Sequence, residues 1–286
     1  MAWSDLSPAD GIVAALDHAG ERPEDGTQDD KRNWSNAFAD GCAVAIADRI
    51  RQHRELKGKT VKPVSVTTGT EPLVPLGAGV KKRIDVTVVD AVLGLELGAS
   101  LKGLNFVDGT HNNYDKNLTG RLYELGDEVR VVHEHLPHAF MVGIFFLPIA
   151  SCFDKRSARS ASSFASTVVK LRSRSGRLDA ALAAHGSRCD AAYVALYSHG
   201  DGNFPRGVTR FFDVTRDPPK RGRPKIETTL SLDDMVNAVV AAATSEAMVD
   251  WAEPEHDGTQ SLPEPSGEVL PGLFETEEDP QGPPFS

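Results

Sequence analysis

Asp85, Glu96, Ser100 and Lys102 are the side chains whose types and spacing best suit chemistry. They fall in two stretches, Arg83-Ile84-Asp85-Val86-Thr87-Val88-Val89 and Leu95-Glu96-Leu97-Gly98-Ala99-Ser100-Leu101-Lys102. Alternation of apolar and polar residues with period two marks half-buried strands. Ile84, Val86 and Val88 are expected on one face of the first strand, and Leu95, Leu97, Ala99 and Leu101 on one face of the second. The reverse faces then collect Asp85, Glu96, Ser100 and Lys102. A fold needs the apolar faces, but it does not need two carboxylates and a lysine gathered behind them. Two carboxylates can hold a hard divalent cation, and an ammonium beside them can steady charge on a phosphate. The plainer alternative is an exposed Asp85–Lys102 cross-strand ion pair, a contact that contributes only a few tenths of a kcal/mol.

The register gives the pattern its consistency. Asp90-Ala91-Val92-Leu93-Gly94 reads as a hairpin connection ending in glycine. With Asp90 opposite Leu95, Asp85 lies opposite Ser100, Arg83 opposite Lys102, and Glu96 opposite Val89 on the same face. A slip of one residue would send charges into the core.

These strands need elements to hold them. Asn33 reads as an N-cap for a helix from about Trp34 to His53, with Phe38, Cys42, Ala45, Ile46 and Ile50 as its buried stripe. A short strand follows at Val61–Thr67, then a Gly/Pro-rich loop as far as Gly79. After the hairpin, Leu118, Leu122, Leu125, Val129 and Val132 repeat at helical spacing over 116–133. Ala139–Leu147 and Ala191–Tyr197 are continuous apolar runs, as expected of strands covered on both faces. A helix is expected over Ser162–Leu171, a strand at Val208–Val214, and a helix from Ser231, whose partner Asp234 stands three residues on. The order predicts an α/β sandwich with a central mixed sheet flanked by helices.

Charge is unevenly spread along the 286 residues. The net charge is −10, from 41 acidic and 31 basic side chains. Residues 1–30 hold eight acids and one base, and residues 246–286 hold eleven acids and no Lys or Arg. The stretch between keeps 22 acids against 30 bases, a basic body suited to a polyanion. The expected organisation is an acidic N-terminal extension over 1–30, a single domain over 31–250, and an acidic disordered tail over 251–286. Cys42, Cys152 and Cys189 are odd in number and widely spaced, so buried free thiols are expected rather than disulfides or a zinc site. No apolar run reaches the ~20 residues of a membrane span. The N-terminus lacks a basic and apolar leader, so the expected compartment is the cytoplasm.

This arrangement resembles the PD-(D/E)xK phosphodiesterase superfamily, the restriction-endonuclease-like fold, over roughly residues 34–148. Asp85 matches the first acid of that motif and Lys102 its lysine. Ser100 stands where the family has its second acid. The resemblance implies a magnesium-dependent DNA endonuclease of restriction or defence type, with manganese as a substitute and a homodimer compatible with it. Asp85, Glu96 and a backbone carbonyl near Leu101 are then the expected metal ligands, with Glu96 supplying the second carboxylate from a displaced position. Asp40 on the first long helix, and Asn117 with Arg121 four residues on, are accessory candidates. Each has an ordinary reading as a solvated helix residue.

Ser100 also admits a catalytically inactive nucleic-acid-binding protein of the same fold. A third alternative is an adaptor whose acidic tail binds a protein partner. Lys220-Arg221-Gly222-Arg223-Pro224-Lys225 resembles an AT-hook, whose arginines enter narrow A·T-rich minor grooves. Its alternatives are a basic turn on phosphates or a plain loop. His133, His135 and His138 do not have the spacing of a common zinc site.

Residues 251–286 carry too few apolar side chains to offset the entropy of ordering them. Deleting them should leave the melting temperature unchanged in a thermal scan. A clear drop would show that the tail packs on the body.

Overall fold

The computed structural model describes residues 2–66, 72–107, 110, 112–155, 160–176, 186–200 and 203–247. The expected tail at 251–286 lies outside them. In chain order the elements are α1 (Asp10–Ala19), α2 (Gln28–Arg51), β1 (Thr60–Lys62), β2 (Leu73–Gly77), β3 (Val80–Arg83), β4 (Val86–Asp90) and β5 (Gly94–Gly103). They continue with α3 (Leu118–His135), β6 (Phe140–Pro148), α4 (Ser163–Arg172), β7 (Ala191–Tyr197), β8 (Thr209–Asp213) and α5 (Leu232–Ala247).

Six strands form one sheet in the order β1-β4-β5-β6-β7-β8. β4 runs antiparallel to both its neighbours, β1 and β5; β5, β6 and β7 are parallel, and β8 returns antiparallel. Parallel neighbours need a crossover, and α3 and α4 supply it. Every residue of β6 is buried, which follows from its central position between two helical layers.

The two layers bury separate clusters. On one face α1, α2 and α5 pack Ile12, Phe38, Ile46 and Val236 against Val86, Leu97, Ile144 and Phe211. On the other, α3 and α4 pack Leu125, Val129, Phe164 and Val168 against Met141, Phe145, Val194 and Phe212. The expected α/β sandwich with a mixed sheet is the architecture found.

The N-terminal stretch departs from expectation. Its acidic composition suggested an appendage, yet Ile12, Ala15 and Leu16 are buried in the first cluster and Trp3 in the second. α1 lies so close on α2 that a Cβ at Gly41 would stand 2.5 Å from the α-carbon of Ala15. Only glycine permits that approach. α2 is also capped six residues before the expected Asn33. Thr27 caps it, accepting from the Asp30 N–H, while the Asp30 carboxylate accepts from the Thr27 N–H at 2.9 Å. The acids of this stretch face solvent around a buried apolar stripe.

The Gly/Pro-rich stretch before Asp85 holds an unexpected hairpin, β2 paired with β3, turning through Gly77-Ala78-Gly79. The three cysteines are buried free thiols, as expected. His133 is also structural, with its Nε2 3.1 Å from the Ala139 carbonyl oxygen.

Candidate functional site

Where β4 begins and β5 ends, the sheet edge opens into a cavity of about 390 Å³. Ser35, Asn36 and Asp40 reach it from α2, Arg83 from the end of β3 and Asp85 from the bend between β3 and β4. Leu101, Lys102 and Gly103 come from the end of β5, and Arg121 from α3. Asp40, Asp85, Leu101, Lys102 and Arg121, all named from the sequence or its resemblance, therefore line one cavity. Asn117 lines the neighbouring cavity instead.

The hairpin register explains the position of Asp85. Val86 pairs with Ala99, Thr87 with Gly98 and Val88 with Leu97. The next step of that register sets Asp85 level with Ser100, as the alternation predicted. Asp85 itself lies outside the ladder, and its Oδ2 accepts from the Leu101 N–H at 2.6 Å. The carboxylate thus takes the place of a missing strand neighbour, which anchors it over the end of β5. Arg83, expected opposite Lys102, instead ends β3 and pairs with Leu73.

Glu96 is the main correction. The register shifts between Val88 and Val89, so that Val89 pairs with Leu95 and Glu96 is left in a bulge. A bulge adds one residue to one strand and turns the side chains beyond it to the other face. Leu97 is accordingly in one core cluster and Leu95 in the other. Glu96 forms an ion pair with Lys59, and it does not line the cavity. Six strand residues separate it from Lys102, roughly 20 Å of extended chain. It is not positioned to share a metal with Asp85.

A different acid meets the lysine. Lys102 is only 9% exposed, and its ammonium donates to Glu128 Oε1 at 2.7 Å. Glu128 projects from α3, and its Oε2 accepts from the Ser100 hydroxyl. The carboxylate missing from position 100 is thus supplied by the facing helix, and the small Ser100 side chain completes the contact. A desolvated ammonium requires such a partner. Helical spacing carried the signal: Asn117, Arg121 and Glu128 stand at i, i+4 and near two further turns, so they share one side of α3.

Asp40 is the second carboxylate of the cavity. Burial pushes its carboxyl above the ordinary range, and His18 on α1 only partly opposes this. A desolvated carboxyl without a strong cationic partner suits a bound cation. Among the described residues no group of three or more His, Cys, Asp or Glu side chains could hold a metal ion. Magnesium does not need such a group, since it keeps several of its waters and takes one or two protein carboxylates plus substrate oxygens.

The AT-hook resemblance does not survive in three dimensions. The Arg223 guanidinium lies 4.7 Å from the ring centre of Phe204, 5.7 Å from that of Phe153 and 5.8 Å from that of Trp3. Arg221 donates to the Phe153 carbonyl at 2.7 Å, and Trp3 Nε1 donates to the Pro224 carbonyl at 3.0 Å. A minor-groove strip must be extended and free, whereas this one is docked. Lys220 and Lys225 remain exposed.

No family model, curated protein or solved structure matches the chain. Among the described residues no helix is long and apolar enough to cross a membrane.

Two expectations follow. Arg223→Ala removes the cation from its aromatic cage and should cost about 1–2 kcal/mol, measured by chemical denaturation, without any A·T-selective loss of DNA affinity. An A·T-selective loss at unchanged stability would restore the minor-groove role. For Asp40, burial disfavours the ionised form, so its folded pKa lies above the unfolded one. The stability associated with neutral Asp40 is complete below about pH 4 and is lost as pH rises through the raised value. Asp40→Asn should therefore melt roughly 1–3 °C higher than the native chain at pH 7, with no advantage at pH 4. A lower melting point at pH 7 would mean that the carboxylate has a stabilising partner.

Proposed function

We propose that the chain is a metal-dependent endonuclease of the restriction-endonuclease-like class, hydrolysing phosphodiester bonds of DNA. One observation carries this reading: Asp85 and Lys102 line one cavity where an antiparallel hairpin meets a parallel strand. The element order supports it as well. α2, β1, β4, β5, α3 and β6 follow one another as the resemblance requires, with the β2–β3 hairpin as an insertion. The basic body suits a polyanionic substrate.

Asp85 and Asp40 are the residues that would hold magnesium, with Leu101 beside them. Bound there, the ion would neutralise phosphate charge and lower the pKa of a water. The chain's own groups do the rest. Asp85, tied to the Leu101 N–H, keeps a fixed orientation at the end of β5. Lys102, held by Glu128, presents its ammonium to a nonbridging phosphate oxygen, where negative charge grows as the water attacks. Glu128 positions Lys102 and balances its charge; with both oxygens engaged, it is not assigned as a metal ligand. Arg83 and Arg121 add positive charge at the rim, where the scissile phosphate enters.

A second reading is a polynucleotide-binding protein of the same class that does not cut. It is favoured by the engagement of both Glu128 oxygens, which leaves the cavity two carboxylates. Incubation with plasmid DNA in magnesium and in EDTA separates the two readings. Cleavage in magnesium alone is expected, with Lys102→Ala slowing it at least 100-fold or so and Glu128→Gln about 10- to 100-fold. Glu96→Gln should cut like the native chain. Exchanging the acid, Ser100→Glu with Glu128→Ser, should restore activity above that of Glu128→Gln. Retained DNA binding with no cleavage under any metal would favour the second reading.

A further inference from the structure

A second cavity, of about 440 Å³, lies beside the first and shares Ser35, Asn36, Gly103 and Arg121 with it. Lys31 and Arg32 line it from α2, and Lys116 and Arg121 from the start of α3. No carboxylate is among its described lining residues, although Arg32 pairs with Asp29 at 3.1 Å and Arg121 with Glu124 at 2.8 Å just outside it.

One buried side chain makes this more than a basic surface. Asn105 is 3% exposed and lines the cavity. Its Oδ1 accepts from the Tyr197 hydroxyl at 2.9 Å. Tyr197 is fully buried, which pushes its phenol far above the ordinary range and keeps it a donor. The amide oxygen therefore faces Tyr197, and the amide nitrogen points away from it. That nitrogen is buried and has no hydrogen-bond partner. It lies against Gly103, where a Cβ would stand 2.5 Å from it, and Gly103 lines both cavities. Arg22 holds the Asn105 carbonyl from behind and stacks on Phe106 at 4.7 Å, so the loop is fixed in place. An orphaned buried donor is costly, and this one is packed against a residue that lines both cavities.

The charged groups of the second cavity and the orphaned amide are all donors. Their complement is an anion that only accepts, as a phosphodiester does, rather than a base edge with mixed donors and acceptors. We propose that the second cavity binds the phosphodiester adjacent to the scissile one on the same strand, with the Asn105 amide donating to a nonbridging oxygen. This rests on the nuclease reading and deepens it. The substrate is a continuous strand gripped at two successive phosphates, with Gly103 at the step between them.

The test is equilibrium binding of a fluorescein-labelled duplex in EDTA, where nothing is cut, alongside plasmid cleavage in magnesium. Asn105→Asp keeps the acceptor for Tyr197 and replaces the donor with a negative oxygen. It should weaken binding about 10- to 100-fold, and because an unpaired buried carboxylate also costs stability, binding is read well below the variant's own melting temperature. Lys31→Ala with Arg32→Ala, both on the surface of α2, should lower the slope of log affinity against log salt by up to ~2. A neutral methylphosphonate is then moved linkage by linkage along one strand. At one linkage the native chain should lose about 10-fold in affinity, and Asn105→Asp should lose nothing further.

If the native chain cuts DNA yet no linkage couples to position 105 or to the lysine–arginine pair, the inference falls and the nuclease reading stands. If the native chain neither cuts nor binds DNA, both fall. Should Asn105→Asp fail to fold, the surface pair decides by the same slope and the same coupling.

Discussion

A lysine ammonium removed from water governs the geometry of the site. Lys102 is almost fully buried at the end of a strand, where an unpaired charge would be untenable. Glu128 resolves this from α3, and the requirement propagates outward. α3 must lie across β5 at a fixed height, so the α3 stripe of Leu118, Leu122, Leu125 and Val129 is buried on that face. Position 100 must be small and polar, since it shares the same carboxylate. The end of β5 is then held from two sides, by Glu128 on the lysine and by Asp85 on the Leu101 N–H.

Charge is sorted around that core. The first cavity mixes two carboxylates with Lys102 and two arginines, while the charged side chains among the described lining of the second are all cations. Such a gradient along one sheet edge orients an anionic chain before any specific contact forms. The edge is the carboxyl end of the parallel strands, where open α/β sheets commonly place their ligands.

Much of this was legible in the residues themselves. Alternation set Asp85 level with Ser100, because a single slip would have buried charge, although at the turn Asp90 pairs with Gly94 and not with the expected Leu95. The continuous apolar runs of β6 and β7 and the Ser231 cap appear where expected. Glu96 was misplaced because six strand residues, roughly 20 Å, separate it from Lys102 on either face, and the bulge that turns it away leaves no mark in a strict period-two pattern. Glu128 was overlooked because its partner lies on another element, and periodicity along one helix does not name what the helix faces. The docked Arg223 illustrates the same limit. Local composition described a free basic strip, but three aromatic rings from distant parts of the chain determine its surroundings.

Those rings also tie the two ends of the body together. Trp3 contributes to the cage around Arg223 and donates to the Pro224 carbonyl, a contact spanning 221 residues. The Ala9 N–H likewise donates to the Gly207 carbonyl. Contacts this remote in sequence form only after long loops close, which slows folding. On a ribosome, the first residues synthesised must wait for nearly the last of the body before their pocket exists. The chain therefore cannot seal its N-terminus until both carboxylates, the lysine and the basic groove have been made, so assembly of the body is a late, all-chain event.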